Sequence, residues 1–255
     1  MTLDLTTYSL VRPTKIEWLL PSLPPDPITM IKSKGTRKFL RNSVDRYLAE
    51  LQLTVVQKEI TLDDYLQWLP YYTAKMTENN FEIFANADWY AVKKSEQARM
   101  YGIFVYSEKT MVGSAIISQT LDNRFTIHFK ASDKLRDISV SNASLGTYIE
   151  YLYWQLAYQH SAVAISSGTS RNAFGVIHHL GYLNFKTRFG YLPVVSAKSE
   201  NGTTVDVLPN QPVCFYATNT LEANQSLQLY VYNHGNKIDQ ETQDILCYTA
   251  FQQLN

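Results

Sequence analysis

The stretch Lys32–Arg46 carries Lys32, Lys34, Arg37, Lys38, Arg41 and Arg46 against a single acid, Asp45. Cations at that density suit phosphate groups, because ammonium and guanidinium donors make short charge-assisted hydrogen bonds to anionic oxygens. The plainer reading is a solvated helix face. Further along, Lys186 stands between Phe185 and Phe189. A lysine wedged between two rings loses stability unless an anion or another acceptor meets it. Tyr151, Trp154 and Tyr158 recur at helical spacing; they are core side chains first, and otherwise the aromatic wall of a hydrophobic ligand channel. His178 and His179 are adjacent. On a helix they would point about 100° apart, so they do not chelate one metal as an i, i+4 pair would, and no metal is expected. The chain has no Walker loop, no G-x-G-x-x-G, no H-E-x-x-H, no paired C-x-x-C and no G-x-S-x-G.

The elements that would hold these groups follow from periodicity. Pro21–Pro27 is a breaker cluster that excludes a helix interior or a central strand. It separates an extended N-terminal segment, residues 1–31, from a helical pattern over Lys32–Val44. Leu53–Ile60 has the β-branched content of a strand, and Thr61 with Asp64 forms a capping-box pattern. The helix that follows presents Leu66, Leu69, Tyr72 and Met76, and Pro70 is expected to bend it or end it early. Tyr101–Tyr106, Met111–Ile117 and Arg124–Lys130 read as an antiparallel meander. Leu145–His160 is the clearest helix, with Leu145, Ile149, Leu152 and Leu156 as its apolar stripe. After it come a short strand (Ala162–Ser166), a small-residue loop (Ser166–Ser170) and a helix over Asn172–Leu180 capped by Gly181. Strands at Val213–Tyr216 and Leu227–Tyr232 and a final helix, Gln240–Leu254, complete the pattern. A meander followed by strand–helix alternation predicts an α/β (α+β) fold: a mixed, mainly antiparallel central sheet with at least one parallel crossover, flanked by helices. The domain is expected over residues 32–195, with a C-terminal extension, 196–255, packed on it.

Composition narrows the classes. In 255 residues with 45% hydrophobic content, 18 Tyr, 11 Phe and 4 Trp there is enough apolar surface for a large core, which excludes disorder as the main state. Ten Gly and two cysteines, Cys214 and Cys247, exclude collagen-like and disulfide-scaffold classes. The 23 basic and 23 acidic residues cancel, so whole-molecule steering toward DNA or an anionic membrane is not expected. No apolar run approaches the roughly 18–20 residues of a membrane span. The N-terminal sequence lacks a basic segment followed by an apolar one, which argues against a secretory signal. A cytoplasmic protein with reduced thiols is the expectation.

Several of these pieces occur in an order that resembles the GNAT-like acyltransferases of the FemAB type and their single-domain acetyltransferase relatives. The late FK-x-x-[FW]-G element of that group matches Phe185, Lys186, Phe189 and Gly190, and an early K-x-x-R-x-x-[IL]-R element matches Lys34, Arg37, Leu40 and Arg41. Between them lie Val112-Gly113, His128–Asp133, the aromatic helix and the Ser167–Ser170 loop, so the resemblance covers roughly Lys32–Pro193. It implies a GNAT-like sheet and transfer of an acyl group to a primary amine. His128 or Asp133 would take the amine proton, and Lys186 would contact a donor or acceptor anion. The donor would lie against Ser144, Gly146, Ser170 and Arg171. Lys34, Arg37 and Arg41 would hold phosphate, and Tyr151 and Trp154 would line the substrate. Where GNAT enzymes carry R/Q-x-x-G-x-G/A, Ser141–Gly146 keeps one glycine and no basic lead residue. Backbone N–H groups at that helix start remain able to hold a phosphate.

No permanently bound cofactor is expected. The co-substrate is an acyl-CoA or, second, an aminoacyl-tRNA, and the acceptor is an amine on a peptide, an amino sugar or a cell-wall precursor. The competing reading is a non-catalytic GNAT-like protein that binds a nucleotide or acyl ligand. An RNA-binding module is a poorer third, because bases need aromatic platforms beside the cations and Lys32–Arg46 offers only Phe39.

Overall fold

The computed structural model describes residues 11–134, 144–199, 211–218, 225–234 and 236–254. In chain order the elements are β1 (Lys15–Leu20), a 3-10 turn (Pro27–Met30), α1 (Lys34–Asn42), α2 (Val44–Glu50), β2 (Leu53–Glu59), α3 (Leu62–Glu78), α4 (Ala87–Ser95), β3 (Arg99–Ser107), β4 (Thr110–Gln119), β5 (Arg124–Ser132), α5 (Leu145–Gln159), β6 (Ala164–Arg171), α6 (Leu180–Phe189), β7 (Leu192–Val195), β8 (Val213–Ala217), β9 (Gln228–Tyr232), α7 (Gln240–Ile245) and β10 (Phe251–Leu254). They form two compact units, residues 21–166 and residues 1–20 with 167–255. The boundaries read from sequence, 31/32 and 195/196, each fall inside one of these units.

The unit of residues 21–166 is built on the antiparallel ladder β2–β3–β4–β5. Helix α5 packs on one face of it. Gly113 makes this approach possible: a Cβ there would lie 2.8 Å from both Ile149 Cδ1 and Leu145 Cδ2. Helices α3 and α4 cover the other face, where Tyr65, Trp68, Tyr72 and Tyr90 join Met100, Phe104, Ile116, Phe129 and Ala131 in one core cluster. The capping box is complete. Thr61 Oγ1 accepts from Asp64 N at 3.2 Å, and Asp64 Oδ2 accepts from Thr61 N at 3.0 Å. Of the two effects expected of Pro70, an early end does not occur: α3 runs through it to Glu78. Pro70 and Leu66, whose carbonyl the proline deprives of its helical donor, are both exposed, which lowers the cost of the proline at this place.

The unit of residues 1–20 and 167–255 holds the antiparallel pair β1–β7 and a second sheet, β10–β9–β8. Trp18 is fully buried between Phe174 and Tyr216, and its Nε1 donates to Ser170 Oγ at 3.0 Å. Strand β6 is common to both units. Its first three residues pair in parallel with β5 and its remainder lies in the second unit, so the strand order reads β2-β3-β4-β5-β6-β1-β7. The result is a mixed, mostly antiparallel seven-stranded sheet flanked by helices, as the element pattern predicted.

Three local expectations are corrected. Ser166–Ser170 is strand rather than loop, because its small side chains let β6 continue, with Gly168 at φ +81° absorbing the irregularity. Asn172–Leu180 is not a helix. Asn172 instead bonds the chain across strands, donating to Pro13 O and Tyr216 O and accepting from Tyr216 N at 2.7 Å. The helix starts at Leu180, with Gly190 at φ +89° as its left-handed cap. The final helix stops at Ile245, since Phe251–Leu254 pairs in parallel with β9 and buries Leu254.

Candidate active site

Strand β5 carries the distinctive geometry. Its ladder with β4 runs Ile116↔Phe129 and then Ile117↔Ile127, so His128 is an extra, bulged residue. Bulges re-aim side chains, and here His128 and Phe129 turn to the same face. His128 Nε2 lies 2.7 Å from Ser118 Oγ, and its ring meets Trp89 at 4.9 Å. Asp133 belongs to that face as well. It pairs with Lys75 of α3 at 2.9 Å and accepts from Tyr71 OH at 3.5 Å. Burial first, and then the Asp133 charge, push the Tyr71 hydroxyl well above the usual tyrosine range.

Lys130 points the other way, toward α5. Its Nζ meets Glu150 Oε2 at 2.5 Å; the Glu150 side chain is 0% exposed and that of Lys130 24%. One turn along α5, the fully buried Tyr153 hydroxyl bonds Phe125 O and Ser166 O, each at 2.9 Å. Burial raises that phenol, and the nearby Glu150 charge adds to the rise. The parallel pairing of β5 with β6 covers only Arg124–Thr126 against Ala164–Ser166. From Ile127 to Ser132, β5 therefore extends beyond this ladder. Asp133 N donates to Val112 O at 2.8 Å, so antiparallel alternation turns the Ser132 and Lys130 N–H groups to the outer edge.

The start of α5 lies beside the end of β5, since a Cβ on Gly146 would sit 3.4 Å from Ser132 Oγ. Ser144 caps the helix by accepting from Thr147 N at 3.1 Å. Residues 141–143, the rest of the expected pyrophosphate stretch, lie outside the described residues. Ser170 is occupied by Trp18, and Arg171 is exposed. Lys186 is 5% exposed and donates to Ser167 O at 2.7 Å and Ser167 Oγ at 2.5 Å, with its Nζ 5.0 Å from the centre of the Tyr182 ring. The acceptor that its setting required is thus Ser167 of β6.

Arg37 and Arg41 of the basic stretch have partners within the protein, while its lysines Lys32, Lys34 and Lys38 are exposed. Arg37 donates to the carbonyls of Ile31 and Lys32, and Arg41 pairs with Asp26 at 2.6 Å. Arg41 and Tyr151 do approach one region. Tyr151 lines an open groove of about 490 Å³ with Pro25, Asp26, Pro27, Gln155, Tyr158 and Gln159. Trp154, by contrast, is 0% exposed and belongs to the core. Among the described residues no three His, Cys, Asp or Glu side chains cluster as a metal site. His178 precedes α6 and His179 is its N-cap; burial lowers the His178 pKa, with Arg171 adding to the effect. Among the same residues no helix is long and apolar enough to cross a membrane.

Lys130 and Glu150 were missed from sequence. Their signal was one charged residue inside each of two apolar runs, Ile127–Ala131 and Ile149–Leu152.

No protein-family profile and no curated protein matches the chain. Solved structures do. FemX superposes with a TM-score of 0.51 at 10% identity, over 72% of this chain and 60% of FemX. The fold is GNAT-like, of the FemX kind. A conserved protein of unknown function from Bacteroides thetaiotaomicron aligns at 15% identity with a TM-score of 0.46, covering 71% of this chain and 56% of that one. The C-terminal domain of a putative lysylphosphatidylglycerol synthetase from Agrobacterium fabrum aligns at 14% and 0.44, covering 71% and 58%. This chain therefore spans 56% to 60% of the length of the structures it matches here.

Proposed function

We propose that the protein is an N-acyltransferase that moves an acyl group from an acyl-CoA to a primary amine of a peptide, amino sugar or cell-wall precursor. The observation that carries this reading is the edge of β5. Beyond Thr126 the parallel ladder ends, and outward N–H groups follow on the same strand, next to the capped start of α5. A thioester laid along that edge places its carbonyl oxygen against fixed donors, the arrangement that stabilises a developing oxyanion. The N-terminal turn of α5 supplies further N–H groups for the donor's phosphates. The GNAT-like fold shared with FemX supports the frame on which this rests. In the reaction the amine nitrogen attacks the thioester carbon, the C–S bond breaks, and the proton lost by nitrogen ends on the thiolate.

The test is amine-dependent thiol release from a series of CoA thioesters, acetyl to palmitoyl, with aminoacyl-tRNA as the contrasting donor. Thiol release with at least one thioester is expected. Turnover with aminoacyl-tRNA alone would replace the donor, and none with either would overturn the reading. One observation favours a second reading, a GNAT-like binding protein without turnover: the side chains of His128 and Asp133 are both engaged by neighbours. That protein would be stabilised by CoA, by about 2.7 kcal/mol at a hundred times its Kd, yet consume no thioester.

A further inference from the structure

Glu150 has no exposed surface and sits within the apolar stripe of α5, yet it is ionically paired to Lys130 of β5. A hydrophobic pair of similar volume is commonly as stable as a buried ion pair or more so, because desolvation offsets the Coulomb attraction. Packing alone therefore gives little reason for this pair. Its location gives one. Lys130 lies four residues beyond the last parallel pairing of β5, at Thr126, and two before Ser132, against which α5 begins. A donor with its phosphates at the start of α5 would carry its acyl carbon deeper along β5, on the α5 side. The ammonium of Lys130 faces that side and is the partly exposed member of the pair.

Resting on the acyltransferase reading, we propose that Lys130 is a catalytic residue that donates a hydrogen bond from Nζ to the oxyanion of the tetrahedral intermediate, and that Glu150 is the positioning residue that holds it. When the amine attacks, the carbonyl π pair moves onto oxygen, where Lys130 meets it. When the intermediate collapses, that pair re-forms the carbonyl and the thiolate departs. Lys130 keeps its proton throughout. Its contribution appears in kcat, since the negative charge exists only in the transition state and intermediate.

The experiment compares the native protein with Lys130→Met, Glu150→Gln and the double variant Lys130→Met/Glu150→Leu, reading kcat, donor KM and melting temperature. A single variant leaves one buried charge without its partner and lowers melting temperature whatever the role. The double variant removes both charges and is expected to melt near the native temperature. It should nevertheless lose about a hundredfold in kcat, the effect of removing one oxyanion donor, with donor KM within about threefold of native. Native-like kcat in the stable double variant would overturn the proposal and leave the acyltransferase reading intact. If the native protein turns over neither a thioester nor aminoacyl-tRNA, the acyltransferase reading falls, and the role of Lys130 falls with it. Should the double variant melt far below native, Lys130→Arg against Lys130→Met decides, at a temperature where both are folded. A kcat kept within tenfold by Arg and lost about a hundredfold by Met supports the proposal, and native-like kcat in Lys130→Met overturns it.

Discussion

The two faces of β5 hold polar residues by different means. On the α3–α4 face, His128 and Asp133 sit at the rim of an aromatic core, met by Ser118, Trp89, Lys75 and Tyr71. On the α5 face a carboxylate with no exposure holds a lysine beside the part of the strand that runs past its parallel partner. The first face satisfies its polar atoms by neighbours that also pack. The second holds a charge in an apolar setting, where an electrostatic effect on a reacting group is strongest.

That contrast can be broken. Trp68→Ala removes a side chain 1% exposed, its stacking on Phe129 and its hydrogen bond to Ser114 Oγ at 2.8 Å. Denaturant unfolding should register a loss of about 4 kcal/mol; a loss under about 1 kcal/mol would mean that the α3–α4 face is not the packed one. Gly113→Val probes the opposite face. Its side chain would overlap Ile149 and Leu145, and the expected cost is about 2 kcal/mol. Turnover should fall with it, because α5 carries Glu150 and must move away from β4. His128→Ala should cost about 1.5 kcal/mol, from the lost bond to Ser118 and the contact with Trp89, while kcat stays within about threefold of native. A hundredfold loss of kcat there would move the chemistry to the α3–α4 face. Asp64→Asn sharpens the picture through pH. The Lys58 ammonium first, and then the Thr61 N–H, hold the Asp64 carboxyl below its ordinary 3.8. That stabilisation is present above 3.8 and is lost as pH falls through the lower folded value. The native protein should therefore exceed the variant by about 1 kcal/mol at neutral pH, and the gap should close as pH drops below 3.8. A gap that persists unchanged at low pH would remove the Asp64 charge from the account.

Much of the frame was legible in the sequence. Periodicity placed β2, the meander β3–β5 and α5 within a residue or two, and Thr61 with Asp64 marked the start of α3, because those signals are local. The failures were non-local. The turn residues Ser166–Ser170 became strand, and β1 went unread because its partner β7 lies far along the chain. The site was less legible than the fold. A single extra residue in β5 sends His128 to the face opposite Lys130, and no period in the sequence announces a bulge. Lys186 was readable as a lysine in need of an acceptor, whereas Ser167 as that acceptor depends on the tertiary fold.

The position of β1 has a consequence during synthesis. Its buried Ile16, Trp18 and Leu20 alternate along one side, and the strand pairs with β7 through Ile16↔Val195 and Leu19↔Leu192. A ribosome adding about 5–20 residues per second leaves this strand waiting roughly 10–35 seconds for its partner. For that interval the nascent chain displays an apolar strand with nothing to complete it. Such a segment is one that a chaperone would hold, and that crowded, overexpressing cells would lose to aggregation first.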